Sequence, residues 1–337
     1  MPDVRPFNLF IRRTLPALIL GAAFALAGVG YAAGQTPAPA QASSLPVKAP
    51  PQTRRKPKKP VLIFDYIDAK PEPSTRPYSA DIARQHVSTL SWDLAVLAAV
   101  GTTVGVKEWG WGERSFHVTK EGWFGRHTEF GGIDKLGHAY SAQLMSDYIT
   151  WRLRAAGYNG EESSITAAIL TGAAFTAVEL GDGFSRYGAS YEDLIASAAG
   201  IAFSYLGNNV PGLHDKVDFR MQYVPTMRSG DFVGAGDYDG KKFLLAWKLG
   251  GFDTFKDTPL RYFEIHTGYY TRGYTGAAVQ TGNETRTAYV GLGLNLTELL
   301  FSQPGLRDTD AGSVVRAFNK YFQLPYTYVA SDGNSGR

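Results

Sequence analysis

Cysteine is missing from all 337 residues of the chain. Its absence excludes disulfides, thiol catalysis, zinc–thiolate sites, iron–sulfur clusters and lipid attachment through an N-terminal cysteine. The sequence also has no phosphate-binding loop, no dinucleotide fingerprint, no nucleophile-elbow pattern and no repeat of fixed period. The sequence therefore contains none of these catalytic motifs that would indicate a reaction class.

Acidic residues are scarce at the start of the chain. Residues 1–60 hold nine Lys or Arg and one acidic residue, a net charge of +8. Because the whole chain carries +3, the other 277 residues carry −5. A mildly acidic main part argues against a dedicated nucleic-acid binder. The 44% hydrophobic and 13% aromatic contents are sufficient for a sizeable core.

The N-terminus has the pattern of an export signal. Arg12 and Arg13 precede an apolar run over residues 15–29, and small residues follow it. This order predicts a signal peptide over 1–33 and a location in the periplasm or outer membrane. The alternative is an uncleaved anchor of an integral inner-membrane protein, although the run is shorter than the ~20 residues that span a bilayer.

Composition divides the rest of the chain into three regions. Residues 34–78, rich in Pro and basic side chains, are predicted to form a disordered linker. Its basic cluster over 54–59 could contact anionic lipid or cell-wall polymer, or could simply be solvated. A helical bundle is predicted over 79–210, with a Gly/Trp-rich loop inside it, and a β-rich region over 211–330.

Helical periodicity is evident in four segments, over 79–106, 134–156, 163–180 and 191–206. They are rich in Ala, Gly, Ser and Thr, which allow helices to approach closely. Their uncharged runs, ~13 to 16 residues long, are shorter than a usual membrane span. A tightly packed bundle is the prediction, with insertion into a bilayer as the alternative.

After Pro211 the periodicity changes from helical to alternating. Apolar and polar residues alternate within 242–249, 263–270 and 287–296, as expected for β-strands. The predicted fold class is therefore α+β, a small-residue-rich helical bundle followed by a small antiparallel β-sheet. An apolar face of that sheet could rest on a membrane or on a partner.

Chemistry-bearing residues gather around the first turns of these helices. Asp134 and His138 are four residues apart and share one helix face. The simplest role of Asp134 is an N-cap. Glu179 lies near the end of a nearly uncharged helix, where a buried carboxylate needs a partner, for which Lys135, Arg186 and His138 are candidates.

Three schemes fit this constellation: a structural polar network, a metal site, or acid–base hydrolysis with water as the nucleophile. In the last scheme His138 is the base. The predicted catalytic residues are His138, Asp134 and Glu179, and the predicted ligand-binding residues are Lys135, Asp182, Asp193, Glu121 and Trp123. The pattern does not identify a metal or a cofactor.

Four motifs carry a family resemblance: Glu121-Gly-Trp-Phe124, Asp134-Lys-x-x-His138, Glu179-x-x-Asp182-Gly-Phe184 and Ser190-x-x-Asp193. With them the chain resembles the YfiM-like family of predicted periplasmic or envelope proteins of unknown function, over roughly residues 105–300. It is also similar to the broader VanZ-like group, which contains membrane helical proteins.

The resemblance implies an exported bacterial envelope protein with a structural or ligand-binding role at the membrane. The alternative is a membrane-proximal hydrolase or metal-dependent enzyme acting on lipid or cell-wall material. The implied partners are membrane or cell-envelope components. This chain departs from the family pattern in two ways. Many relatives resemble lipoproteins, but this chain has no cysteine, and Ser197 occupies the position where the pattern expects Asn.

Overall fold

The computed structural model describes residues 66, 69–226, 237–274, 282–301, 305 and 309–334. The predicted signal peptide and the basic cluster over 54–59 lie outside these residues, as does most of the predicted linker. The described chain is an α+β protein in which a helical layer precedes a five-stranded antiparallel sheet. The predicted fold class is confirmed.

Eight helices are present in the described residues. In chain order they are α1 (Ala80–Thr89), α2 (Ser91–Lys107), α3 (Ile133–Ala155), α4 (Gly160–Asp182), α5 (Tyr191–Asn209), α6 (Leu213–Lys216), α7 (Leu296–Phe301) and α8 (Asp310–Tyr321). The first predicted helical segment is two helices, bent by 71° at Leu90. Neither Pro nor Gly occupies the bend, so periodicity had no signal by which to place it.

The strands are β1 (Val217–Tyr223), β2 (Lys241–Lys248), β3 (Phe263–Arg272), β4 (Thr285–Leu294) and β5 (Tyr328–Asn334). They pair in sequence order, each antiparallel to the next. The three alternating segments correspond to β2, β3 and β4. The sequence analysis did not identify β1, although its residues alternate strictly between apolar and polar from Val217 to Tyr223. All but the last of them are buried, so the polar side of this strand does not face solvent.

Helix α3 forms the centre of the molecule. Most of its side chains are buried between α4 and α5 on one side and strands β1, β2 and β3 on the other. Tyr140 shows this position, since its ring packs against Phe219 and Phe243 of the sheet. Gly200 lets α5 approach closely, because a Cβ there would lie 1.9 Å from the carbonyl oxygen of Ala139.

The sheet is strongly coiled. Tyr328 on β5 donates a hydrogen bond to Gln222 on β1, a 2.8 Å contact between the two outermost strands. The enclosed face holds a group of buried ion pairs, the sheet cluster, whose members are Asp218, Arg220, Lys248, Glu264 and His266. Opposite charges alternate there, since Arg220 contacts Asp218 at 2.7 Å and Glu264 at 2.6 Å.

By length and apolar composition, one described helix, Gly160–Asp182, could cross a membrane. The bent pair α1–α2 also passes if it is counted as one span. A buried core helix of a water-soluble protein passes the same test, so this finding by itself does not decide the environment of the helices.

Candidate functional site

The candidate site lies where three helix ends meet. Helix α3 contributes residues of its first two turns, α4 contributes its last turn, and α5 contributes its first turn. The loop before α3 closes the group, because Glu192 on α5 accepts a hydrogen bond from the backbone N–H of Gly122 at 3.1 Å. Six of the eight predicted site residues lie here, each within 4.0 Å of an oppositely charged or imidazole group of another.

Asp134 is not the N-cap of α3, so that prediction is wrong. The cap is Gly132, in the left-handed conformation at φ 87°, and no side chain caps the helix. A Cβ at Gly132 would lie 2.5 Å from the carbonyl oxygen of Trp123, so the turn has no room for a side chain. Asp134 instead turns inward and contacts Lys135 at 2.8 Å.

Lys135 is the centre of the first half of the site, the lysine cluster. Its ammonium, on a side chain only 2% exposed, contacts Asp134 and Asp193 at 2.8 Å each and also contacts Glu121. Three carboxyl groups therefore surround one ammonium. The combined field of these carboxylates outweighs burial and raises the pKa of Lys135, which keeps the ammonium charged.

His138 is the centre of the second half, the histidine cluster. Its Nδ1 lies 3.9 Å from Glu179 Oε1, and its Nε2 lies 3.7 Å from Asp193 Oδ1. Both separations exceed hydrogen-bond length. Within the described residues, His138 Nδ1 and Glu179 Oε1 are buried atoms without a hydrogen-bond partner. The other oxygen of Glu179 accepts the backbone N–H of Ser190 at 3.0 Å.

The carboxyl groups of the site resist ionisation. Burial, reinforced by the charge of Asp193, raises the pKa of Glu179 to about 9 and that of Glu121 to about 8. Asp193 is the exception, since His138 and Lys135 outweigh burial and lower its pKa. The site therefore holds one firmly ionised carboxylate and others that retain protons near neutral pH.

Asp182 and Trp123 lie outside these two clusters. Asp182 accepts a 2.7 Å hydrogen bond from the indole N–H of Trp111, and burial raises its pKa to about 6. Trp123 is 40% exposed and makes no hydrogen bond or ion pair with the described cluster residues. The sequence analysis considered Trp111 only as one of the loop tryptophans. Its clearest signal was Gly on both sides, which permits the tight turn that positions the ring.

The arrangement supports two kinds of chemistry. An imidazole nitrogen and two carboxylate oxygens within 4.8 Å of one another form a potential ligand set for a divalent cation. The same imidazole, beside a carboxylate, could orient and deprotonate a water molecule. A second carboxylate group within 4.8 Å, Glu121, Asp134 and Asp193, already surrounds the Lys135 ammonium.

Fold and site together define an α+β protein with a buried acid–histidine cluster between helix ends. Residues 120–209, which include this cluster, match the family described as predicted periplasmic lipoprotein (DUF2279). No curated protein and no solved structure matches the chain. The match supports an exported envelope protein of an uncharacterised family.

Proposed function

We propose that the protein binds a divalent metal cation of the zinc class through His138, Glu179 and Asp193. The observation that carries this proposal is a pair of buried donor atoms without hydrogen-bond partners in the described residues, His138 Nδ1 and Glu179 Oε1, which face each other at 3.9 Å. Buried polar atoms in folded proteins are normally satisfied, so such a pair calls for a partner.

Charge supports the same proposal. In the lysine cluster an ammonium already occupies the space between three carboxylates. In the histidine cluster, the described part of the chain places no Lys or Arg within 4.0 Å of Glu179, and His138 is its only basic neighbour. A divalent cation would supply the positive charge that this half lacks and would displace the proton of Glu179.

The donor set suits a metal of intermediate softness. One imidazole nitrogen with two carboxylate oxygens is a combination typical of zinc sites that keep an open coordination position. Two ligands held ~2.1 Å from one tetrahedral ion lie roughly 3.4 Å apart. Because the three donor atoms lie within 4.8 Å of one another, they need to close by about an ångström.

Metal binding can be measured on the full chain by titration calorimetry with Zn²⁺ after removal of metal with a chelator, and by native mass spectrometry. We expect one ion per chain. His138→Asn and Glu179→Gln should weaken binding by at least about tenfold, because each removes a ligand. Asp134→Asn is the matched control, since it alters a carboxylate that contacts Lys135 but does not belong to the histidine cluster.

Two results would overturn the proposal. One is the absence of Zn²⁺ binding by the folded wild-type protein. The other is an equal loss of affinity in Glu179→Gln and Asp134→Asn, which would indicate a diffuse effect of acidic charge. In either case the cluster is a structural polar network, and the variants should change only the unfolding free energy.

A second candidate function is metal-assisted hydrolysis of lipid or cell-wall material. It is favoured by the position of His138, whose side chain is 23% exposed at the edge of an otherwise buried cluster. Three protein ligands would leave a position for water, which a bound cation activates at neutral pH. Hydrolysis of such material that depends on Zn²⁺ and disappears in Glu179→Gln would support it, whereas metal binding without turnover would support a binding role.

We further propose that the resemblance extends to the YfiM-like and VanZ-like groups, and that residues 1–33 direct export to the periplasm or outer membrane. The shared motifs around Asp134, His138 and Asp193 support the first statement. The basic, apolar and small-residue order of the N-terminus supports the second. Cleavage near residue 33 in the mature protein, measured by mass spectrometry, tests the export signal.

A further inference from the structure

Three helices of the helical layer present an apolar surface to the outside. Helix α4 lies beside α2 and α5, and α4 and α5 both pack against α3. Every exposed position within 94–106, 163–178 and 194–210 is Ala, Thr, Val, Leu or Ile. This apolar helix face consists of Ala95, Ala98, Ala99, Thr102, Val106, Ile169, Ala173, Thr176, Ala177, Leu194, Ile195, Ala198, Ala199, Ala202, Leu206 and Val210.

Many buried positions of α4 and α5 are polar, whereas α3 buries polar and apolar side chains alike. The buried polar groups include Asp147 on α3, which accepts hydrogen bonds from Ser204, Asn208 and Tyr321. The usual order of a water-soluble helix, apolar inside and polar outside, is thus reversed over much of α4 and α5. Packing against one another does not account for the apolar helix face, since its side chains point away from the layer.

We infer that the apolar helix face rests in the hydrocarbon of a lipid bilayer. Hydrocarbon offers no hydrogen-bond partners, so a protein surface in contact with it is expected to be apolar. Polar side chains are then expected to face the protein interior. A protein partner would instead be expected to meet aromatic, Met or Arg side chains with a polar rim. None of these residue types occupies an exposed position within the three segments.

Aromatic side chains lie at the ends of the face, where a headgroup region would be. Trp92, 71% exposed, precedes the uncharged part of α2, and Tyr191, 45% exposed, precedes that of α5. Both residue types favour the boundary between hydrocarbon and water. Charge complementarity is added by the basic cluster over 54–59 of the same chain, which suits anionic headgroups.

The length of the face limits its depth. The uncharged segments over 94–106, 163–178 and 194–210 contain 13, 16 and 17 residues, or about 20 to 26 Å of helix. The hydrocarbon core of a bilayer is ~30 Å thick. In addition, the opposite side of α3 is covered by the sheet. We therefore assign lipid contact to this one side of the helical layer, without a complete span.

The N-terminal apolar run is a competing occupant. Residues 15–29 could form at most four turns of helix, about 22 Å long. One such helix covers a strip of roughly 10 Å, whereas three adjacent helices present a width of more than 20 Å. The segment is too small to cover the face by itself, so lipid is the occupant that the area favours.

The absence of native cysteine makes a site-specific test possible. Ala173→Cys and Ala199→Cys in the full chain place a unique thiol on the face for an environment-sensitive fluorophore, and Ala311→Cys places one on exposed α8 as the control. With phosphatidylcholine vesicles, alone or mixed with phosphatidylglycerol, we expect blue-shifted emission and quenching by brominated acyl chains at residues 173 and 199 only. Phosphatidylglycerol should strengthen both effects.

Other occupants give different results. Shielding of residues 173 and 199 without vesicles, at any protein concentration, would indicate that a segment of the same chain covers the face. Shielding that increases with protein concentration would indicate a second copy of the chain. Labels that remain accessible to aqueous quencher with both kinds of vesicle would exclude lipid contact. Each of these three outcomes overturns the inference.

A partition measurement provides a second criterion. Ala173→Glu with Ala199→Glu puts two carboxylates into the proposed hydrocarbon contact, and flotation with phosphatidylcholine vesicles should fall by roughly 100-fold or more, since burying one charge in hydrocarbon costs over ~2.5 kcal/mol. The control, Ala80→Glu with Ala311→Glu, adds the same charge at exposed positions off the face and should float like the wild type. Equal flotation of all three proteins would overturn the inference.

Discussion

The molecule contains two buried groups of charged residues, and they differ in how the charge of each buried carboxyl group is balanced. In the sheet cluster, Lys248 and Arg220 outweigh burial and lower the pKa of Asp218 to about 2. In the helical layer, burial and neighbouring acids raise the pKa of Glu179 to about 9. The charges of the sheet cluster are paired within the chain, whereas Glu179 of the histidine cluster has no Lys or Arg within 4.0 Å in the described residues. This difference distinguishes a structural network from a candidate site.

The largest expected effect comes from breaking the complete network. Arg220→Met leaves Asp218 and Glu264 buried without their shared cation, and we expect a loss of about 3–5 kcal/mol in the free energy of unfolding. Lys135→Met should lower the free energy of unfolding less at pH 5 than at pH 8. At the lower pH the carboxyl groups of the lysine cluster can be protonated, so they no longer need the ammonium to balance their charge. Urea unfolding at both pH values measures this contrast.

Lys256→Met is the matched control for both variants, since the Lys256–Asp253 pair is exposed and its loss should be undetectable. An equal, pH-independent loss in Arg220→Met and Lys135→Met would contradict the contrast between the two clusters.

The next effect concerns the approach of α5 that brings Asp193 to Lys135 and His138. Gly200→Ala would place a Cβ 1.9 Å from the carbonyl oxygen of Ala139. We expect a loss of about 1–3 kcal/mol from overpacking. Gly101→Ala is the matched control, because its Cβ would meet nothing within 4 Å, and it should stabilise helix α2 by about 0.5–1 kcal/mol. Thermal unfolding of both variants compares them, and equal effects would show that the seam between α3 and α5 is not tight.

The dependence of stability on pH should separate the two clusters by sign. Asp218 has a folded pKa of about 2 against an ordinary 3.8, so the stability that it contributes is gained as pH rises from about 2 to above 3.8. Glu121 and Glu179 have folded pKa values of about 8 and 9 against an ordinary 4.5, so the folded state binds more protons above pH 4.5. Stability should therefore fall from about pH 5 to 9, by at most about 1.4 kcal/mol per pH unit for each carboxyl.

Glu179→Gln should flatten that fall, and urea unfolding of the metal-free protein across the range measures it. Saturating Zn²⁺ should flatten it as well if the proposed metal site is correct, since bound metal displaces the proton. Asp81→Asn, which alters an exposed carboxylate, is the control. Stability that rises steadily to pH 9 would contradict the raised pKa values.

The smallest effect tests whether a helix cap can be removed without disturbing the site. Ser190→Ala removes the hydroxyl that accepts the N–H of Asp193, but it keeps the backbone N–H that binds Glu179. We expect a loss of about 1 kcal/mol with unchanged Zn²⁺ affinity. Thr309→Ala, which removes the N-cap hydroxyl of α8, should cost a similar amount. A loss of Zn²⁺ binding in Ser190→Ala alone would show that the cap is part of the site.

Local patterns in the sequence predicted the main helices and three of the five strands. Helical periodicity placed α3, α4 and α5 within a few residues of their ends, although side-chain N-caps are present only at α4 and α5, from Asn159 and Ser190. Strand β1 was missed although its residues alternate strictly between apolar and polar. The bend at Leu90 was not predictable in this way, because it depends on packing against other elements, which leaves no mark in the local periodicity.

The candidate site was partly predictable. Spacing on one helix brought Asp134, Lys135 and His138 together, but it could not show that Gly132, and not Asp134, is the N-cap. Glu179 was suspected because a carboxylate on an uncharged helix needs a partner. Of the three candidates, only His138 lies near it, at 3.9 Å, beyond hydrogen-bond length. The pairing of Trp111 with Asp182 joins residues 71 positions apart, which no local rule could connect.

The sequence by itself determined the main helices, three of the strands, the absence of thiol chemistry, and the residues capable of acid–base or metal chemistry. These properties follow from periodicity and composition, which act over a few residues. Tertiary structure alone decided that Lys135 fills one acidic cluster while His138 faces another, and that three helices turn their apolar sides outward. Those outcomes depend on distances between segments far apart in the chain, and only packing fixes such distances.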